Sequence, residues 1–579
     1  MRDFSLRWIE PDEPVETGLE GSFPKPLLGI LSSRGFCSAN EIEECLNPKL
    51  KLLNDPFELP GMEDAVARIL EALDKQEQIV VFGDYDVDGV TSTALLTLFF
   101  RQLGFKNVVP FLPHRMEEGY GLSAPAVRRY LENHTPGLFI AVDCGTNSIE
   151  EARLIKEAGS DVIILDHHEI LGDGHEDVFS ALVNPKLTGE YDYLCSVGIA
   201  FKVAHAILKH LSASGPEAAQ IARSIDLKEY LDLVAVGTVA DIVPLRGDNR
   251  ILVSAGLKRL DTTPRPGLVA LKDVCKINAP VGTYHIGFMI GPRLNAMGRL
   301  ESAMESLNLL LCTRLEEART MAVEMDQMNR ERQAVELEVF HQAQEDAAKM
   351  YSNDPSINTL VLGRPDWHAG VVGIVASRIL REFHLPTIVI GFDEGGQGKG
   401  SGRSIEGFHL VECLEECQAI LTKFGGHAMA AGITITFERL EEFREAFDLA
   451  ASRVLTAEML APKLKIDAEL AFDEITPGFM DCLAKLEPFG NSHPEPVFIA
   501  RNIQLASEPR FIGKDKKHLK LQLKKGSKSF DAIYFRFDQT LDLGKLQGLD
   551  IAFIPEWNHF RDEKTIQLKI KAIREHQPR

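Results

Sequence analysis

Three aspartates on alternate positions, Asp84, Asp86 and Asp88, follow an apolar run in the stretch VVFGDYDVDGVTS at residues 81–93. Carboxylates this close repel one another, and each raises the pKa of its neighbours. They need either a positive partner among them or full exposure to water. Asp143 follows a second apolar run, LFIAV (138–142), and Asp166, His167 and His168 follow a third, VIIL (162–165). Asp241 ends a further segment, LVAVGTVA (233–240). Oxygen donors joined by imidazole, with no set of thiolates, suit Mn²⁺ or Mg²⁺ better than structural zinc. Two such ions about 3.5–4 Å apart and bridged by one carboxylate can clamp a phosphoryl group and lower the pKa of a bound water. Asp143, alone after its run, suits the bridge. Taken singly, each acid reads as a helix cap or a solvated loop residue, and Asp88 is placed to cap the helix that follows. Taken together they do not.

These residues must be positioned by something, and the pattern around them supplies it. Between about residues 55 and 245, short apolar runs alternate with helical patterns, the mark of an α/β fold with a parallel sheet. In open parallel sheets ligands bind outside the carboxyl ends of the strands, so the three runs would deliver their acids and imidazoles to one crevice. The helix pattern GVTSTALLTLFFRQLG stops at Gly104, and another over 226–240 ends at Asp241. Residues 314–350 lack Gly and Pro and mix both charges, which predicts a long solvated helix acting as a connector. TLVLGRPDWHAGVVGIVASRIL (359–380) then opens a second α/β unit, and from about 463 short alternating segments predict a small β-barrel.

With 579 residues the chain is too long for one core and fits three or four domains. It contains no run of about 18 apolar residues that would span a membrane. Its start has no apolar core of a secretory signal. Nine cysteines without a C-x-x-C pair fit reduced thiols in a cytoplasm, and Cys144 reads as a buried inert thiol. A formal net charge of −22 speaks against indiscriminate nucleic-acid binding but allows a local basic groove. Residues 501–530 offer one, with nine Lys or Arg against two acids and with Phe511 and Phe530 nearby. They read either as a solubilising β-surface or as a barrel that tracks single strands by charge and stacking.

A second group of residues suits phosphate. GKGSGRSIEGFHL (398–410) carries Lys399, Ser401 and Arg403 among glycines ahead of a helix pattern. It reads as a phosphate-cradling loop or as a flexible surface loop with chance basic residues. FGGHAMAAG (424–432) places His427 among small residues, where a core histidine is the default reading. Arg299, in NAMGRL, is a candidate phosphate fork. A pocket of Arg299, Ser401 and Arg403 would prefer a terminal phosphate, which carries more charge than an internal diester. Tyr120 and Arg115 lie shortly after the first acids and could meet the same strand, Tyr120 by stacking.

DYDVDG, VDCG, DHH and GTVADIVPL occur in the order and context of the four motifs of the DHH phosphoesterase superfamily, which the chain resembles from about residue 30 onward. LPHRMEEGYGLS and GPRLNAMGRL look like its RecJ branch, the single-strand-specific 5′→3′ DNA exonucleases. The resemblance implies an α/β DHH parallel-sheet domain (51–300) after an N-terminal segment (1–50). A long helical connection (301–352) would lead to a smaller α/β DHHA1-like domain (353–458), followed by a C-terminal OB-type barrel (459–579). It implies two Mn²⁺ or Mg²⁺ ions held by Asp84, Asp86, Asp88, Asp143, His167 and Asp241, with His168 beside the scissile phosphate. Asp166 would orient a ligand histidine. The partner domain, with His427 in its GGH stretch, would hold substrate. The implied partner is single-stranded DNA, with a single-strand-binding protein and a helicase as protein partners of a cytoplasmic monomer active in DNA repair and recombination. Two alternatives stand beside this one: a phosphodiesterase for short oligonucleotides or cyclic dinucleotides, and a DNA-binding scaffold without catalysis. On the nuclease reading, the barrel strengthens binding of long strands and is dispensable for very short ones.

Overall fold

The computed structural model describes residues 6–11, 21–114, 118–119, 121–134, 137–172, 178–278, 280–300, 302–513, 516–537, 548–560 and 563–577. The chain forms two compact units, one of Glu10–Val323 with Lys465–Arg579 and one of Met1–Ile9 with Glu324–Leu464. No helix among the described residues is long and apolar enough to cross a membrane.

In the larger unit a five-stranded sheet is built from β1 (Ile79–Gly83), β2 (Val108–Phe111), β3 (Leu138–Val142), β4 (Asp161–Leu165) and β5 (Ala181–Val183). The strands lie in the order β2-β1-β3-β4-β5, and every pairing is parallel. All residues of β1 and β3 are buried, which is why these strands read as unbroken apolar runs instead of alternating ones. The helix Val87–Leu103 follows β1, ends at Gly104 with φ +114, and packs against the helices Ser196–Ala213 and Leu231–Ala240. All three present apolar residues on most sides, as buried helices must.

The smaller unit has its own five-stranded sheet of β6 (Leu360–Pro365), β7 (Thr387–Phe392), β8 (Gln397–Arg403), β9 (Lys423–Gly426) and β10 (Ala430–Thr436). Its order is β9-β10-β8-β7-β6, parallel only between β6 and β7. The glycine-rich stretch expected to be a loop is the strand β8. A Cβ at Gly398 would come within 2.5 Å of Phe392, one at Gly400 within 2.7 Å of Ile433, and one at Gly402 within 2.8 Å of Leu410. The alternate glycines therefore let bulky neighbours close over one face of the strand, leaving Lys399, Ser401 and Arg403 on the other.

One helix, Leu315–Asn353, passes from the larger unit into the smaller. Its charges are not all solvated as expected: Asn329, Arg332 and Glu336 are buried. Arg332 bridges Asn329 at 3.1 Å and Glu336 at 2.8 Å through its two terminal nitrogens.

The C-terminal strands β11 (Phe498–Leu505), β12 (His518–Lys525), β13 (Lys528–Tyr534), β14 (Leu549–Phe560) and β15 (Glu563–Glu575) run in the order β11-β14-β15-β13-β12. Pairing of β12 back onto β11 closes the five into a ring, the OB-type barrel. Its interior is not filled by these strands alone. Leu27, Leu28, Ile30 and Leu31 of helix Lys25–Ser33 and Ile42, Cys45 and Leu46 of helix Ala39–Leu46 belong to the same core as Phe498, Leu521 and Phe553. Arg34 seals the junction through a buried ion pair with Asp467 at 3.3 Å. Arg250, from the sheet domain, donates to the carbonyl oxygens of Cys45, Leu486, Glu487 and Pro488 at 2.9–3.2 Å. The barrel thus shares its core with the N-terminal helices, a packing that the sequence reading did not include.

Candidate metal centre

Each strand end delivers its polar residues to one place. Ligand atoms of Asp84, Asp86 and Asp143 lie within 4.8 Å of one another, as do those of Asp143, His167 and His168 and those of Asp88, His167 and Asp241. Asp143 and His167 each join two of these groups, so the three form one continuous cluster. Asp143 ends β3 in a left-handed conformation, φ +62, that aims its carboxylate inward. His167 Nε2 lies 3.3 Å from Asp143, 3.6 Å from Asp241 and 4.0 Å from Asp88.

The cap of the helix Val87–Leu103 is Asp86, whose Oδ1 accepts from the N–H groups of Asp88 and Gly89. Asp88, whose alternative reading was that cap, instead faces inward and accepts from Ser196 N–H at 2.7 Å and Val197 N–H at 2.9 Å, at the start of another helix. Ser196 also donates through Oγ to Asp143 at 3.1 Å. Sequence reasoning missed Ser196, and its place at a helix start behind the apolar stretch gave the only signal.

Burial, and then the repulsion of neighbouring carboxylates, pushes Asp84 up to about 8, Asp88 to about 7 and Asp241 to about 9. Asp143 is raised well above the ordinary value by the same causes. Burial and the adjacent His168 push His167 down to about 4, which leaves a neutral imidazole able to donate a lone pair. One oxygen each of Asp84 and Asp241 is buried without a hydrogen-bond partner. Orphaned carboxylate oxygens, raised acids and a neutral imidazole converge here, and this donor set fits Mn²⁺ or Mg²⁺.

His168 behaves differently. Its burial opposes protonation, but the 2.7 Å hydrogen bond to Asp166 together with the charges of Asp166, Asp84 and Asp86 outweighs this and raises its pKa. Burial pushes the Asp166 carboxyl up, but that bond and the charges of His168 and His167 together hold it below the ordinary carboxylate range. Asp166 was expected to orient a ligand histidine; the ring it grips is that of His168, while His167 gives it only a backbone N–H, at 2.8 Å. The His168 and Thr146 N–H groups also donate to Asp166, and Asn184 Nδ2 holds the His168 carbonyl at 2.9 Å. Cys144 beside the site is buried, and burial raises its thiol well above the ordinary range, which disfavours the reactive thiolate.

Arg115 and Tyr120 lie outside the described residues, as does the side chain of Arg299, whose backbone ends the helix Gly291–Leu300. In the smaller unit, Arg403 donates to Ser401 Oγ and to the Gly402 carbonyl at 2.8 Å each. Both side chains close on Gly373, where a Cβ would meet each at 3.1 Å. They therefore sit at the N-terminus of the twelve-residue helix Val372–Phe383, not the helix expected from the sequence. Desolvation lowers the Arg403 pKa, and no acid pairs with it among the described residues. A half-buried guanidinium at a helix N-terminus suits an anion. Exposed His427 stands in the β9–β10 turn, its N–H on the carbonyl of Ala430, which pairs with Arg403 across the sheet.

On the barrel, Lys520 and Lys524 point outward from β12 while Leu519, Leu521 and Leu523 fill the interior. Phe511 is exposed, but Phe530 packs edge-on against Phe472 at 5.3 Å and belongs to the core side. Exposed Phe535, edge-on to His518, is a further exposed aromatic ring that was not anticipated.

Acids and imidazoles gathered at the carboxyl edge of a parallel sheet, with a second α/β unit and a barrel, define a DHH-type metal-dependent phosphoesterase. Residues 78–238 match the N-terminal domain of the DHH family, 356–453 the DHHA1 domain and 466–572 the RecJ OB domain. The single-stranded-DNA-specific exonuclease RecJ of Escherichia coli (strain K12) is 36% identical, covering 99% of either chain. That of Bacillus subtilis (strain 168) is 38% identical across 98% of this chain and 70% of its own length. The crystal structure of RecJ from Thermus thermophilus in complex with Mn²⁺ superposes with a TM-score of 0.82 at 29% identity, covering 100% of this chain and 81% of that one. A complex of the same protein with Mg²⁺ gives 0.78. The chain belongs to the RecJ family.

Proposed function

We propose that this chain is a metal-dependent exonuclease that degrades single-stranded DNA in the 5′→3′ direction to 5′-mononucleotides, in DNA repair and recombination. The observation that carries the reading is the continuous cluster of Asp84, Asp86, Asp88, Asp143, His167 and Asp241 in a chain that aligns over 99% of either length with the RecJ exonuclease of Escherichia coli. These six side chains would hold two ions, with Asp143 shared between them. Bound Mn²⁺ or Mg²⁺ would supply Lewis acidity and a water of lowered pKa. His168, whose protonated form the bond to Asp166 favours, donates to the phosphoryl oxygens as negative charge develops there. Asp166 holds that ring in place through its other bonds to the backbone.

Ser401 and Arg403, at their helix N-terminus, take the terminal phosphate, whose extra charge favours a 5′-phosphorylated end. Arg299, His427, Arg115 and Tyr120 contact the strand. Lysines of the barrel track its backbone, with Phe511 and Phe535 offering stacking faces. Duplex ends need a helicase to expose a single strand, and a single-strand-binding protein would coat the same strands, which makes both the expected partners of a monomeric enzyme. All nine cysteines are unpaired, which fits a cytoplasmic setting.

The test is digestion of 5′-labelled and 3′-labelled single strands with Mn²⁺, with Mg²⁺ and with EDTA. The 5′ label should leave first as a mononucleotide, with either metal and never with EDTA. Release from the 3′ end, or metal-independent cleavage, would overturn the proposal.

A further inference from the structure

The segment leading into the barrel reaches back to the turn that follows Asp241. Asp241 closes the helix Leu231–Ala240, its N–H bonded to the Gly237 carbonyl at 2.9 Å. The next residue, Ile242, has φ +61. That left-handed conformation is strongly disfavoured for a β-branched side chain. Burial does not hold it there, because Ile242 is 70% exposed. Backbone strain of this kind persists only where surrounding contacts over-determine it.

The contacts come from Asn491, 249 residues further along the chain. Its Nδ2 donates to the Ile242 carbonyl at 2.6 Å, and its own carbonyl accepts the Leu245 N–H at 2.9 Å. Only the amide nitrogen can face a carbonyl, so the orientation of the side chain is settled by chemistry. Asn491 is itself held from one side. Arg250 binds the carbonyls of residues 486–488, and Thr283 Oγ1 donates to that of Phe489 at 2.7 Å. At Gly490 the backbone passes so close to Leu245 that a Cβ would meet it at 2.6 Å. Two hydrogen bonds thus close on the turn 242–245, immediately beyond a carboxylate that lies 3.6 Å from His167.

We infer that Asn491 is a positioning residue: by clamping the strained turn it fixes where the Asp241 carboxylate enters the metal cluster. The inference rests on the reading of Asp241 as a metal ligand.

The full-length protein is titrated with Mn²⁺ by calorimetry, without DNA, as wild type, Asn491→Ala, Asn491→Asp, Asp241→Asn and the double variant Asp241→Asn with Asn491→Ala. Asn491→Asp keeps the shape and the backbone bond but replaces the donor with an acceptor, so it serves even if the alanine variant folds poorly. Each Asn491 variant should weaken Mn²⁺ binding by about tenfold or more, as loss of a ligand-orienting group does, and should speed hydrogen exchange of the Leu245 amide. Tm in EDTA should hardly move, and hydrolysis should recover at high Mn²⁺. In the Asp241→Asn background, Asn491→Ala should weaken binding no further, because no carboxylate remains to be positioned. Wild-type Mn²⁺ affinity in both Asn491 variants, or equal weakening with and without the Asp241 carboxylate, overturns the inference. Unchanged Mn²⁺ binding in Asp241→Asn alone removes the metal-ligand reading itself, a separate result.

Discussion

Asp143 is buried and surrounded by other carboxylates, two properties that disfavour an ionised aspartate unless a cation balances them. Asp143→Asn should abolish turnover, yet raise the melting temperature in EDTA by removing repulsion; near-normal rates in Mn²⁺ would refute its placement between two ions. The same charges set a pH dependence. Without metal, folded Asp84, Asp88 and Asp241 titrate near 8, 7 and 9 instead of the ordinary 3.8, so between those values the folded state binds more protons than the unfolded one. Stability must then fall as pH rises through that window. His167, lowered to about 4 from 6.5, works in the opposite sense below 6.5, so the decline should be steepest above it. Melting in EDTA at pH 6, 7, 8 and 9 should show a falling Tm that saturating Mn²⁺ flattens. His168→Ala should lower kcat by about 10²–10³, the cost of losing one donor to developing charge, while Mn²⁺ binding persists. The acids and histidines were legible in the sequence because apolar runs announce strands and strand ends announce the site. Which aspartate caps and which faces inward was not, since that depends on where the helix begins to within a residue or two.

At the scale of elements, β8 shows how one composition serves two structures. Glycines mark flexible loops, but they also mark strands pressed against bulky neighbours, and spacing alone does not separate the two. What separates them here is Phe392, Ile433 and Leu410 standing over Gly398, Gly400 and Gly402, a tertiary fact. Gly400→Ala should accordingly destabilise the smaller unit by about 1–3 kcal/mol through overpacking, measured by urea denaturation, where a true loop would be indifferent. On the opposite face, Arg403→Ala should leave folding intact and slow 5′-phosphorylated strands far more than 5′-hydroxyl strands. Equal slowing of both would place terminal-phosphate recognition elsewhere. The long helix was legible from its lack of Gly and Pro, whereas its buried Arg332 and Glu336 were not, because mixed charge patterns look alike on solvated and packed faces.

Across the whole molecule, alternation in HLKLQLKK showed a half-buried strand, and the ring closure of β12 onto β11 follows from tertiary pairing that no local pattern encodes. The shared core of the N-terminal helices and the barrel was equally hidden, for it joins residues some 500 positions apart, such as Leu27 and Phe553. Removing residues 463–579 should therefore do more than weaken long-strand binding. It strips Leu27–Leu46 of their core and releases the turn beyond Asp241, so hydrolysis of short oligonucleotides should fall as well. Full retention of short-substrate activity in that truncation would show the barrel's packing to be dispensable. By contrast, replacing exposed Lys520 and Lys524 by Gln should leave short substrates untouched and reduce the salt dependence of long-strand binding by about one unit of slope for each phosphate no longer neutralised.

That shared core also sets an order of events at the ribosome. The helices Lys25–Ser33 and Ala39–Leu46 are synthesised early, but the strands that complete their packing run to Glu575. At about 5–20 residues per second, the leading segment waits roughly half a minute to two minutes for its partner. Throughout that interval its leucines are open to chaperones and to neighbouring nascent chains, while the intervening sheet can already close on itself. Maturation of the nuclease would then be gated by the arrival of its last strands, and a polysome carrying stalled, barrel-less chains would present the same sticky helices many times over.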